Sequence, residues 1–93
     1  MNRVRAISQI VCEEFGVRIS DIYSHKRQRR IVRARMVIYW IAYRNLSLAQ
    51  IGRAMSRDHS TVSYGVRRVD QLMADDIKFL WRVERLAEDF RHG

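Results

Sequence analysis

From Val4 the apolar residues recur at Ile7, Ile10, Val11 and Phe15, spacings of three and four that draw one stripe along a helix. Gly16 then supplies a left-handed stop. Ser20 and Asp21 open a short helical turn through Tyr23, with Ile22 turned inward, which reads as a connector. A second stripe, Ile31, Ala34, Ile38, Ile41 and Ala42, flanked by Val37 and Trp40, predicts a long central helix ending near Arg44. After a turn at Asn45 and Leu46, Ser47-Leu48-Ala49-Gln50 has the S-x-x-Q pattern of a capping box and starts a short helix through Ala54. Ser56-Arg57 is a tight turn, and Asp58 or its neighbour caps the next helix. There Val62, Val66, Val69 and Met73 form the inward stripe, while Ser60, Ser63, Tyr64 and Arg67 face outward. A last helix runs from about Asp76 to Phe90, with Ile77, Leu80, Trp81, Val83, Ala87 and Phe90 available to pack; Trp40 and Trp81 both read as core.

Two helices joined by about three residues, the second amphipathic with small polar groups at its N-terminal end, are the layout of a helix-turn-helix. The expected fold is therefore all-α, a compact single domain over residues 1–93 of about five to six helices that contains a helix-turn-helix. Composition agrees: 47% hydrophobic residues are too many for a disordered tail, and no proline interrupts the helices. Gly65 inside a helix costs roughly 1 kcal/mol relative to alanine, so close packing against another helix is expected there.

Charge changes the picture from fold to partner. Eighteen Lys and Arg against ten Asp and Glu give a net charge of +8, which suits a polyanion, either nucleic acid or an anionic membrane surface. The segment His25 to Arg35, HKRQRRIVRAR, holds seven cationic-capable residues and no acid. A solvated helix start is the plain reading of such a run, but arginine near a helix N-terminus opposes the macrodipole, and phosphate is the partner that explains it. From Asp70 onward the acids Asp70, Asp75, Asp76, Glu84, Glu88 and Asp89 outnumber the bases Lys78, Arg82, Arg85 and Arg91, so the final helix reads as scaffold. A membrane-surface role finds no apolar face opposite the basic cluster.

Other chemistries lack their residues. The single Cys12 forms no internal disulfide, and His25, His59 and His92 stand too far apart in sequence for a zinc set. The four glycines, Gly16, Gly52, Gly65 and Gly93, never cluster as phosphate-cradling loops require. No cofactor, metal or small-molecule substrate is expected. Neither a signal-peptide run nor a membrane-spanning stretch is visible, which makes a reducing cytoplasm the expected compartment. Asp58, His59 and Ser60 lie in one short helical run and do not converge as a catalytic triad must, so no enzyme is expected.

The run Arg57-Asp58-His59-Ser60-Thr61-Val62, preceded by Ser47 to Gly52 and by the basic stretch Ser24 to Arg35, resembles the C-terminal DNA-binding domain of the bacterial replication initiator DnaA over nearly the whole chain. The resemblance implies a basic loop that sends Arg27 into the minor groove and a signature helix that enters the major groove. It implies base-edge contacts from Asp58, His59 and Ser60, and phosphate contacts from Arg35, Thr61 and Tyr64. Lys26, Arg29, Arg30, Arg33 and Arg57 complete the expected DNA-binding set. Three departures stand out: the turn before Arg57 is one residue shorter than the family's two-glycine form, Ser60 replaces the usual threonine and loses a methyl, and Ala49 replaces a proline. Two readings of Asp58 remain open, a helix cap alone or a cap that also meets a base.

These readings make the chain a sequence-specific double-stranded DNA binder. The family's ATP-hydrolysing assembly domain has no counterpart here, and with Met1 at its start the chain reads as a free-standing, nucleoid-associated bacterial regulator of replication or transcription rather than an excised domain of a longer initiator, a reading that stays open. The alternative is a protein-protein adaptor of the replication or transcription machinery with incidental DNA affinity.

Overall fold

The computed structural model describes residues 3–92, the last of them by its backbone alone. Met1, Asn2, Gly93 and the His92 side chain, which the expected 1–93 domain and the histidine survey include, lie outside the described residues. Those described form six helices and no strand: α1 (Arg3–Phe15), α2 (Ile19–Ile22), α3 (Arg29–Ala42), α4 (Leu48–Met55), α5 (His59–Asp75) and α6 (Ile77–His92). The connector, expected to be no element of its own, is instead the short helix α2, which starts at Ile19 and has Tyr23 as its C-cap, and the central helix begins two residues before the apolar stripe does.

The stripes place the helices. Val4, Ile7 and Val11 of α1 and Ala34, Val37, Ile38 and Ile41 of α3 are all buried, so α3 lies against α1 on one side and α5 on the other. Val62, Val66, Val69 and Met73 of α5 close the core as the spacing predicts. Each fully buried branched side chain contributes about 1.5–3 kcal/mol relative to exposure. Gly65 sits where α5 crosses α3, and a Cβ there would lie 2.6 Å from Tyr39 Cδ2, so the two helices approach as closely as they do because that side chain is missing. Trp40 is half-buried and its Nε1 donates to Asp70 Oδ1 at 2.8 Å, a second tie between α3 and α5.

The last helix departs from expectation. Asp76 interrupts the chain with an extended backbone (φ −140°, ψ 104°), and its Oδ1 accepts from the Lys78 and Phe79 backbone N–H groups at 3.0 and 3.2 Å. This restart turns Phe79, Val83, Leu86 and Ala87 inward. Trp81 follows Phe79 by two residues, about 200° round the helix, and is 63% exposed; Ile77 is exposed too. The expected core role of Trp81 is therefore corrected: the phase set by the Asp76 cap gives its place to Phe79.

Candidate nucleic-acid interface

The α4–α5 pair begins with the predicted capping box. Gln50 N donates to Ser47 Oγ at 3.1 Å and Ser47 N donates to Gln50 Oε1 at 2.8 Å, which fixes where α4 starts. At its other end Ser56 takes the left-handed conformation (φ 55°, ψ 49°), and Arg57 N donates back to the Gly52 carbonyl at 2.8 Å. That closure makes the short turn possible. It also explains Gly52, because a Cβ there would lie 2.5 Å from the Arg57 carbonyl oxygen.

The turn delivers the signature residues to the surface. Asp58, His59, Ser60, Thr61 and Tyr64 are all exposed at the N-terminal end of α5, Tyr64 by 57%. Asp58 occupies the N-cap position with extended backbone, yet its carboxylate accepts no cap hydrogen bond. Its backbone carbonyl does the helical work, accepting from Val62 N at 3.2 Å.

The basic loop between α2 and α3 is built on arginine. Arg35 is only 7% exposed; its Nε donates to the Ile22 carbonyl at 2.9 Å, one terminal nitrogen to Lys26 O at 2.7 Å, and the other to Asp21 O and Ser24 O at 3.0 and 2.7 Å. The resemblance places Arg35 at a phosphate, whereas its guanidinium is turned inward because the loop carbonyls need donors once the chain leaves α2. Arg57 reaches from the helix-turn-helix to the same Ser24 oxygen at 2.6 Å. Lys26 pairs with Asp21 at 2.9 Å. That hydrogen bond, with the Arg18 backbone N–H, holds the Asp21 carboxyl at about 2, well below its ordinary value.

Arg27 is left exposed at the loop, beside a cleft of about 440 Å3 that separates loop and α3 from α5. His25, Arg27, Met36, Tyr39, Thr61 and Tyr64 line it. Arg29, Arg30 and Arg33 line a different depression, with Phe15 and Arg82. The expected site residues thus form three groups: the α5 terminus with Arg27 at the cleft, the set of Lys26, Arg35 and Arg57 engaged in bonds that shape the loop, the last two at the wall of that cleft, and a separate arginine face. Arg82 was not among the expected residues. Nor was the inward role of Arg35, although its position four residues after Ile31, between Ala34 and Ile38 on the apolar stripe, is a signal for it.

Among the described residues no cluster of His, Cys, Asp and Glu could hold a metal ion. No helix among them is long and apolar enough to cross a membrane.

A capped helix, a three-residue turn and an exposed polar helix start, with an arginine-rich loop latched beside it, define a helix-turn-helix DNA-binding domain. Comparison with known proteins makes this particular. The family described as bacterial DnaA protein helix-turn-helix matches residues 4–69. Relatives named chromosomal replication initiator protein DnaA include one from Cereibacter sphaeroides (strain ATCC 17029 / ATH 2.4.9), 40% identical over 91 residues covering 95% of this chain and 18% of the relative. Another, from Synechococcus sp. (strain JA-2-3B'a(2-13)), is 35% identical over 88 residues, 91% of this chain and 19% of its own length. The protein from Caulobacter vibrioides (strain NA1000 / CB15N) is 34% identical over 88 residues, 91% and 18%. The chain belongs to the bacterial DnaA helix-turn-helix family and spans about a fifth of the length of these relatives.

Proposed function

We propose that this chain reads double-stranded DNA from two grooves at once, with the start of α5 in the major groove and Arg27 in the adjacent minor groove. The observation that carries this reading is the hydrogen bond from Arg57 to Ser24, which fastens the basic loop to the turn that launches α5. Asp58, His59 and Ser60 meet base edges, and Thr61 and Tyr64 approach the backbone between the grooves. Arg27 suits a narrow A·T-rich minor groove, whose negative potential is enhanced. Arg29, Arg30 and Arg33 meet phosphates, while Lys26, Arg35 and Arg57 shape the loop. The role is occupation of initiator-type sites in the bacterial nucleoid, in control of replication or transcription, with no catalytic step of its own.

Selection of bound sequences from a random duplex library tests this reading. An A·T-rich element beside a base-specific element, within about one helical turn, is expected. Because Lys26 is paired with Asp21 and Arg35 is turned to the protein, about four cationic contacts remain and the log-log dependence of affinity on salt should have a slope near −4. The exposed Ile77 and Trp81 of α6 favour a second reading, an adaptor that docks a protein of the replication or transcription machinery. A slope near zero with no selected sequence decides for the adaptor.

A further inference from the structure

The cationic run from His25 to Arg35 does not form one surface. Val32, Arg35, Met36 and Tyr39 of α3 line the cleft against α5. Arg30 and Arg33 lie about 160° and 100° round the helix from Val32. With Arg29 they meet Arg82 of α6 and Phe15 of α1 around a depression of about 400 Å3.

This second face is built rather than a loose fringe. The Arg82 guanidinium lies over the Phe15 ring, 4.2 Å from its centroid, and that of Arg33 lies over Phe79 at 5.6 Å. Arg82 Nε donates to Glu14 Oε2 at 2.7 Å, and one terminal nitrogen donates to the Glu14 carbonyl at 3.1 Å. The other terminal nitrogen takes no part in these bonds. Glu14, which the second cation Arg85 also engages at 2.8 Å, is the acid beside this face. Arg29, Arg30 and Arg33 form no ion pair among the described residues. The positive end of the α3 dipole adds to their charge. Four guanidiniums around one hollow, with one neighbouring carboxylate shared between two cations, call for an anion, and guanidinium forks match phosphate oxygens.

We propose that Arg30, Arg33 and Arg82 form a second phosphate site that grips the DNA strand on the far wall of the minor groove receiving Arg27. The inference rests on the two-groove reading above. A minor groove about 6 Å wide has a sugar-phosphate wall on each side. A loop entering it therefore has one backbone on the side of α5 and one on the other side, and Arg30 and Arg33 leave α3 on a face turned from the α5 cleft. The consequence is a footprint that extends past the minor-groove contact, in which α6 takes part through Arg82.

Anisotropy titrations on the selected duplex, ended at the A·T-rich element or extended beyond it by about six base pairs, test the site. The extension should tighten binding by the natural chain about tenfold and steepen its salt slope by about 1. Arg82→Gln should lose that gain while binding the short duplex as before, and Arg82→Lys, which keeps the charge, should recover most of it. A thermal melt checks that Arg82→Gln is folded; if it is not, uncharged methylphosphonate linkages in the extension replace it, and should return the natural chain to short-duplex affinity. An extension that adds nothing, or a gain that survives in folded Arg82→Gln and on the uncharged backbone, overturns the second site. Failure of the natural chain to prefer any selected duplex, short or long, instead overturns the two-groove reading.

Discussion

Arg35, from the central helix, and Arg57, from the turn before α5, donate to one carbonyl oxygen, that of Ser24, at 2.7 and 2.6 Å. Two guanidiniums on one acceptor make the loop and the recognition helix a single rigid reader, because neither can shift without breaking a charge-assisted bond. Arg57→Ala should therefore leave the fold in place and loosen the register between the grooves. The natural chain should lose at least about tenfold in affinity when one base pair is inserted between the two elements of its site, and Arg57→Ala should lose markedly less. Arg35→Ala is the contrasting variant. It takes a donor from four carbonyls, of which those of Asp21 and Ser24 keep another and those of Ile22 and Lys26 are stranded, and should cost about 3 kcal/mol in stability, read by denaturant unfolding. Equal sensitivity to the insertion in Arg57→Ala and the natural chain would show that the latch does not set the register.

Asp58 holds the N-cap position of α5 without a side-chain hydrogen bond to the helix. Substitution of a capping side chain by alanine usually costs about 1 kcal/mol, so Asp58→Ala should cost well under that. Asp58→Asn should leave the melting temperature unchanged and shift the selected sites at one position from cytosine towards adenine, since a carboxylate accepts from the cytosine amino group and an amide suits adenine. Thermal melts beside selected-site profiles check both. An unchanged profile with a large loss of stability in Asp58→Ala would return Asp58 to a capping role alone.

Arg27 and Arg30 differ in the face they occupy, and their alanine variants should differ in kind. Arg27→Ala should weaken specific binding by about 1–3 kcal/mol and relax discrimination in the A·T-rich element. Arg30→Ala should weaken binding to all sequences alike and lower the salt slope by about 1. Titrations on matched and scrambled duplexes at several salt concentrations separate these outcomes, and sequence-neutral loss in both variants would remove Arg27 from the minor groove.

The Asp21 carboxyl, held at about 2 by the Lys26 ammonium and the Arg18 N–H, gives the loop an acid limit. A folded-state value below the ordinary 3.8 means that the stabilisation is complete above that value and is lost as pH falls through about 2. Melting temperatures taken between pH 5 and pH 2 should fall more steeply for the natural chain than for Asp21→Asn. Parallel curves would show that this pair does not stabilise the fold.

The helices and their inward faces were legible from apolar spacing, and the capping box at Ser47 and Gln50 formed as its pattern predicts. The phase of α6 was not, because Ile77, Phe79, Leu80 and Trp81 offer two competing stripes and the choice lies with the Asp76 cap. Within the candidate site, the exposed start of α5 follows from Ser56, Arg57 and Asp58 read as turn and cap. The division of the basic run was hidden, since charge composition treats Arg30 and Arg35 alike. Only the direction each leaves α3, and the carbonyls waiting beneath Arg35, tells a side chain facing solvent from one that holds a loop in shape.

Cys12 lies buried in α1, and burial, with the charge of Asp21, pushes its thiol up to about 11. Reaction requires the thiolate, so burial and a raised thiol pKa both disfavour attack by the native sulfur at neutral pH and keep it largely silent. The same silence is a practical opening: a cysteine introduced on the exposed basic loop would take a thiol-directed dye selectively in the native protein, and could report the loop's approach to DNA without removal of the natural residue.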